Sequence, residues 1–236
     1  MDHSGAKLLP FYLVVDVSIS MSGDKLESAN RMLPSIVDAL AKNPILADKV
    51  RFGMIDFSNS AQVQLPLCDL LDPSLQLPGL SVRGGTSFSA AFRTLKNEIE
   101  TNVAQLKADQ YVVHRPTVWF ISDGEPGDAE HEWRSAFADL VNATAYPNFI
   151  PCGVDGANPK IMGSLIHPAT GPKPMAMYMM DPGFDPAQAI TAMAEVLISS
   201  MLASGYSLAG GSSGTVLPPK SDLPTGITQF DPDDFV

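Results

Sequence analysis

The chain has 236 residues, 45% of them hydrophobic, and a formal net charge of −11. That length suits one α/β domain with an appendage, and the apolar share is enough for a full core. The negative balance argues against an electrostatic nucleic-acid binder, because nothing offsets phosphate charge, and disfavours docking on an anionic membrane.

Residues 8–16 (LLPFYLVVD) form a short continuous apolar run, the mark of a strand covered on both faces. Residues 24–42 are predicted helical, with Leu26, Ala29, Leu33, Ile36, Val37 and Leu40 on one stripe, Asp24 as a cap and Pro34 as an internal fault. Residues 50–57 and 61–67 are two strands of a hairpin around Ser58, Asn59 and Ser60, and Pro66 puts the second at a sheet edge. After a loop containing Gly84 and Gly85, residues 87–107 read as a helix carrying Phe88, Phe92, Leu95, Ile99, Val103 and Leu106 on one side. Residues 116–122 (PTVWFIS) are another buried strand, and 128–142 a helix with Trp133, Phe137, Leu140 and Val141. Then come a strand at 148–153, a short helix at 159–167, a strand at 174–180 and a last helix at 185–204.

Alternating strands and helices define a doubly wound α/β fold: a mostly parallel sheet with one antiparallel edge strand and helices on both faces. The domain is placed at 1–204. Beyond it the composition turns to Gly, Ser and Pro without apolar periodicity, so 205–236 reads as a flexible acidic C-terminal tail. The stretch 189–210 is apolar, yet Glu195 and four serines interrupt it, and Ile190, Met193, Leu197 and Met201 recur at helical spacing. It reads as a core helix rather than a membrane span. The N-terminus lacks a basic segment followed by a long apolar run, so no signal peptide is expected. Cys68 and Cys152, the two cysteines, read as reduced, largely buried thiols of a cytoplasmic protein.

Three polar clusters follow elements where such a sheet builds its site, past the C-terminal ends of strands. They are Asp16-Val17-Ser18-Ile19-Ser20 after the first strand, Gly84-Gly85-Thr86-Ser87 at the start of the second long helix, and Asp123-Gly124-Glu125 after WFIS. If the first strand lies beside WFIS, the three loops converge. Asp16, Ser18 and Ser20 alternate, so an extended loop can turn their side chains one way. Thr86 adds a third hydroxyl and Asp123 a second carboxylate. The donors are all oxygen, which suits a hard cation, Mg²⁺ or else Mn²⁺ or Ca²⁺, rather than zinc. His3, His114, His131 and His167 lack ligand spacing. Glu125 and Asp128 read as charges at a helix start.

At these residues the chain resembles the von Willebrand factor A family, whose metal-ion-dependent adhesion site has the pattern Asp-x-Ser-x-Ser, Thr, Asp. The resemblance covers residues 8–204. It implies a doubly wound fold in which Ser18, Ser20 and Thr86 touch the metal while Asp16 and Asp123 often act through water. It implies recognition of a partner's Asp or Glu rather than catalysis. "LPFYLVVDVSISMSG", "GGTSFSAAF" and "WFISDGEPGD" are similar to the bacterial intracellular group that includes tellurium-resistance-associated proteins, often encoded beside protein kinases and phosphatases. That likeness implies a stress or phosphorylation-signalling setting.

Two other functional classes fit parts of the pattern. A Mg²⁺-dependent phosphotransfer enzyme also starts from an Asp at the end of a first strand, but it needs a second carboxylate two residues on, where Ser18 stands. Gly84-Gly85-Thr86 has no lysine of a nucleotide-binding loop, and no histidine is placed to activate Ser18 or Ser20. The other class is a substrate-recruiting subunit of an ATPase complex. The partner is thus expected to be a protein offering an acidic side chain, such as a kinase, a phosphatase or an ATPase, with no nucleic acid and no membrane. The ending Thr228 to Val236 sets three aspartates between Phe230 and Phe235, and on a flexible tether it suggests self-binding of the tail at the metal site.

Overall fold

A computed structural model describes residues 5–211 and 214–235; His3, Val236 and the side chain of Phe235 lie outside the described residues. The elements run β1 (Lys7–Asp16), α1 (Asp24–Ala41), α2 (Pro44–Ala47), β2 (Val50–Phe57), β3 (Ala61–Cys68), α3 (Phe88–Ala108), β4 (Val112–Val113), β5 (Thr117–Ser122), α4 (Glu130–Val141), β6 (Asn148–Gly153), α5 (Pro159–Gly163), β7 (Met177–Met180), α6 (Pro186–Ala209) and β8 (Ile227–Phe230). One sheet has the order β3-β2-β1-β5-β6-β7-β8, with the short β4 pairing the start of β1. β2, β1, β5, β6 and β7 are parallel neighbours, and β3 is the expected antiparallel edge strand. The mixed sheet with flanking helices is the α/β fold that the alternating pattern implies.

β1, β5 and β6 are buried along almost their whole lengths, which is why they read as continuous apolar runs. One face packs an aromatic cluster: Phe57, Phe88, Phe92, Phe120, Phe137 and Phe149 make stacked, tilted and edge-on contacts with centroids 4.9–5.9 Å apart. The first helical residue of α3, Phe88, is fully buried in it, so the loop before α3 is pinned to the core. Ser87 caps α3 by accepting the Ala90 amide.

α6 packs against α1. Its length and composition would let it cross a bilayer. Ile190, Met193, Leu197 and Met201, the stripe read from spacing, are all buried, and so are Ala189, Ala192, Ala194, Val196, Ser200, Ser204, Gly205 and Leu208. The buried face is wider than the stripe, and Leu46 lies 3.3 Å from where a Cβ on Gly205 would sit. Cys152 is a buried free thiol as expected, while Cys68 is free but only half-buried at the end of edge strand β3.

The C-terminal segment differs from the tail that composition suggests. Helix α6 runs to Ala209 rather than Ser204, and β8 adds antiparallel to β7, pairing Met177–Met180 with Phe230–Ile227. Ile227 is buried, Phe230 packs on the core, and Thr215 bonds Thr117 and Asn148. Residues 214–230 are therefore part of the domain. Four residues of strand, hidden behind Gly, Ser and Pro, leave too little periodicity to read. Gly226 turns the chain into β8 at φ 94°, and a Cβ there would fall 2.1 Å from the Phe184 ring.

Removing residues 222–236 should expose the β7 edge and lower unfolding free energy by at least about 2 kcal/mol, the scale of one buried Ile with its strand contacts. Urea unfolding checks this; a truncated protein as stable as the full chain would make the segment the appendage that its composition suggests.

Candidate metal centre

β1 and β5 are adjacent, so their C-terminal ends deliver Asp16 and Asp123 side by side. Direct bonds hold the loops together. The Ile19 amide donates to the Gly84 carbonyl at 3.1 Å, and the Arg83 amide to the Val17 carbonyl at 2.7 Å. The Gly127 amide donates to the Thr86 carbonyl at 2.6 Å, joining the second loop to the third. The Ser20 hydroxyl donates to Asp123 Oδ1 at 2.7 Å and lies 3.0 Å from the Ser18 hydroxyl, joining the first loop to the third. Four of the five expected residues thus form one connected set. The fifth, Thr86, is brought to it by its loop, and its hydroxyl makes no hydrogen bond among the described residues.

Asp16 is fully buried and points into the protein. Its Oδ1 accepts the Ser18 amide at 2.8 Å, and its Oδ2 accepts the buried Ser122 hydroxyl at 2.7 Å. Burial pushes its carboxyl above the usual carboxylate range; the bonds from Ser18 and Ser122 oppose that rise and the charge of Asp123 adds to it. Asp16 is therefore more than a loop residue outside the core. Its replacement by Ala would leave the Ser122 hydroxyl only its long contacts to Gly124 and cost roughly 1–3 kcal/mol.

Residues outside the motif complete the site. Lys25, in the first turn of α1, forms an ion pair with Asp123 and a second with Asp155 at 2.9 Å. Burial lowers its ammonium's pKa, but the bonds to Asp123 and Asp155 outweigh this and raise it. A base at a helix start opposes the helix dipole, and that oddity is the sequence signal for Lys25. Beside the centre, Arg83 binds buried Asp56 at 2.5 Å. Among the described residues no three His, Cys, Asp or Glu side chains gather as a metal cage. The candidate donors are hydroxyls backed by two carboxylates, a set that fits a hard cation and not zinc.

Asp128 does not serve the helix that follows it. It accepts the Phe88 and Ser89 amides at 3.2 and 2.8 Å and the Ser87 hydroxyl at 3.1 Å, fastening the third loop to the start of α3. Burial raises its pKa, but the bonds from Ser89 and Phe88 prevail and hold it below the usual range. Glu125 accepts from Asn158 at 2.7 Å.

Residues 11–125, which contain all five motif positions, match the family model of the von Willebrand factor type A domain. The fold continues from that segment to β8. Solved structures agree in fold. A von Willebrand factor type A protein from Catenulispora acidiphila is 13% identical with a TM-score of 0.59, covering 84% of this chain and 43% of its own. The pilus adhesin SpaC from Lactobacillus rhamnosus GG is 13% identical with a TM-score of 0.60, over 84% of this chain and 30% of that one. BatB from Bacteroides thetaiotaomicron is 18% identical with a TM-score of 0.50, over 84% of this chain and 100% of that one. The chain spans less than half the length of the first two, and at these identities the likeness is one of fold. No curated protein matches the chain.

Asp128→Ala should lower stability by about 1 kcal/mol, the usual cost of losing a side-chain cap. Because the folded pKa is depressed, this contribution exists above the unfolded pKa and disappears as pH falls through the folded one. Unfolding of wild type and variant at pH 7 and pH 2.5 checks the sign: the gap should close in acid. A gap that persists at pH 2.5 would mean that Asp128 acts through packing rather than charge.

Proposed function

We propose that this protein is a non-enzymatic recognition module that binds one divalent cation, Mg²⁺ or else Mn²⁺ or Ca²⁺, and captures a carboxylate of a protein partner. The observation that carries the reading is the connected cluster of Asp16, Ser18, Ser20 and Asp123, closed by the loop bearing Thr86. Ser18, Ser20 and Thr86 are the residues that would hold the ion directly. Asp16 and Asp123, each already committed to hydrogen bonds, would hold it from behind through water. When bound, the ion supplies an electrophilic position that an outside carboxylate can fill.

The rim suits docking. Ile19, between the two motif serines, is 67% exposed, an apolar contact beside a charged one. A phosphotransfer reading gains nothing from the geometry, since Ser18 bonds Ser20 where that chemistry needs a second carboxylate. The partner is an acidic surface of another protein, with a kinase, a phosphatase or an ATPase as candidates, in a cytoplasmic stress or phosphorylation-signalling system resembling the tellurium-resistance-associated group.

Self-binding of the tail finds no support. β8 runs away from the site end of the sheet and lies three strand spacings from β5, about 14 Å. Asp231, which follows it, is held by Lys220 at 2.7 Å.

Lys25 makes the cation site self-neutralising, because its ammonium occupies Asp123. Calorimetry should find one Mn²⁺ or Mg²⁺ bound by the wild type and none by Ser20→Ala with Thr86→Ala. Lys25→Met should bind the cation several-fold more tightly, about 1 kcal/mol of removed like-charge repulsion. Capture of an acidic partner in Mg²⁺ should be lost in chelator and in the double variant. No cation uptake by the wild type, or capture indifferent to chelator, would overturn the reading.

A further inference from the structure

At the other end of the sheet, some 20 Å from the metal centre along the six residues of β5, lies a cavity of about 730 Å³. It opens where β5 and β6 begin, and it is independent of the reading above. Its volume falls in the range of small-molecule sites. Its lining holds Arg115, Lys173, His114 and His167 and no Asp or Glu. In a chain with 26 acidic and 15 basic residues, that is a reversal of the average charge.

Arg115 is fixed rather than loose. Its guanidinium donates to the Tyr146 hydroxyl at 2.6 Å and to Asn148 Oδ1 at 3.3 Å, and sits 4.3 Å from the centre of the Tyr146 ring. Those partners are neutral, so no carboxylate balances the charge among the described residues. Asn148 is itself buried and tied to Thr215 at 2.7 Å, which gives Arg115 a rigid seat.

Both histidines line the same cavity. The Nε2 atoms of His114 and His167 are buried and have no hydrogen-bond partner among the described residues. Burial, and then the nearby charges of Lys7 and Arg115 respectively, hold both rings below the usual histidine range. Tyr146, Val141 and Met175 supply apolar walls. Arg115 and Lys173 beside apolar walls match a ligand with a charged head and an apolar body.

We infer that this cavity binds a small organic anion, its acidic group on Arg115 and Lys173 and its apolar or aromatic body against Tyr146. The probe is 8-anilino-1-naphthalenesulfonate, compared with N-phenyl-1-naphthylamine, which has the same body without the sulfonate. Fluorescence titration of the full chain should show one saturable sulfonate site. Arg115→Gln should weaken it about tenfold or more, the loss of one charge-assisted contact, whereas Arg115→Lys keeps most of the affinity. Lys173→Gln, on an exposed loop where folding is not at stake, should weaken it about threefold. The uncharged probe should bind wild type and Arg115→Gln alike. Non-saturable sulfonate binding, equal affinity in wild type, Arg115→Gln and Lys173→Gln, or equal loss of both probes would overturn the inference.

Discussion

Two buried carboxylates at the ends of neighbouring parallel strands set the terms for the rest of the molecule. Asp16 and Asp123 are 0% and 3% exposed, and charges of one sign out of water are tolerated only if each oxygen is bonded or neutralised. Every nearby feature answers that demand. Ser122 and the Ser18 amide serve Asp16; Ser20 and Lys25 serve Asp123. The contacts that satisfy the carboxylates draw the loops together, with the Ser18 and Ser20 hydroxyls against each other. A cation added there would join a framework that already exists.

The core explains why the loops hold their shape. Phe88 is buried against Phe57 and Phe120, and Thr86 lies two residues before it. Gly127 and Asp128 then reach from the third loop to Thr86 and to the start of α3. The site loops are short and anchored at both ends, the arrangement in which a scaffold positions binding residues with little left to order.

Much of this was legible in the sequence. β2 and β6 were read to the residue, because a buried parallel strand is a bounded apolar run. The order of the three polar clusters along the chain singles out Asp16, Ser18, Ser20, Thr86 and Asp123, and the structure brings their loops together. Partners that act through space were not legible. Lys25 reaches Asp123 across 98 positions, and Ser122 reaches Asp16 across 106. β8 is hidden because four residues carry no period, and Asp128 caps α3 rather than the helix it precedes because its neighbour in sequence is not its neighbour in space. Arg115, His114 and His167 look unremarkable along the chain and gain meaning only where β5, β6 and the 168–175 loop meet.

The domain thus has two chemically opposite ends: an acidic cluster of hydroxyls and carboxylates at the strand C-termini, and a cationic cavity at their N-termini. A crystal soaked in Mn²⁺ and measured at the manganese absorption edge tests the first most directly. The arrangement of Asp16, Ser18, Ser20, Thr86 and Asp123 predicts one strong anomalous peak bounded by Ser18, Ser20 and Thr86, with Lys25 drawn back from Asp123. A peak located elsewhere, or none at saturating Mn²⁺ with Lys25 still on Asp123, would contradict it.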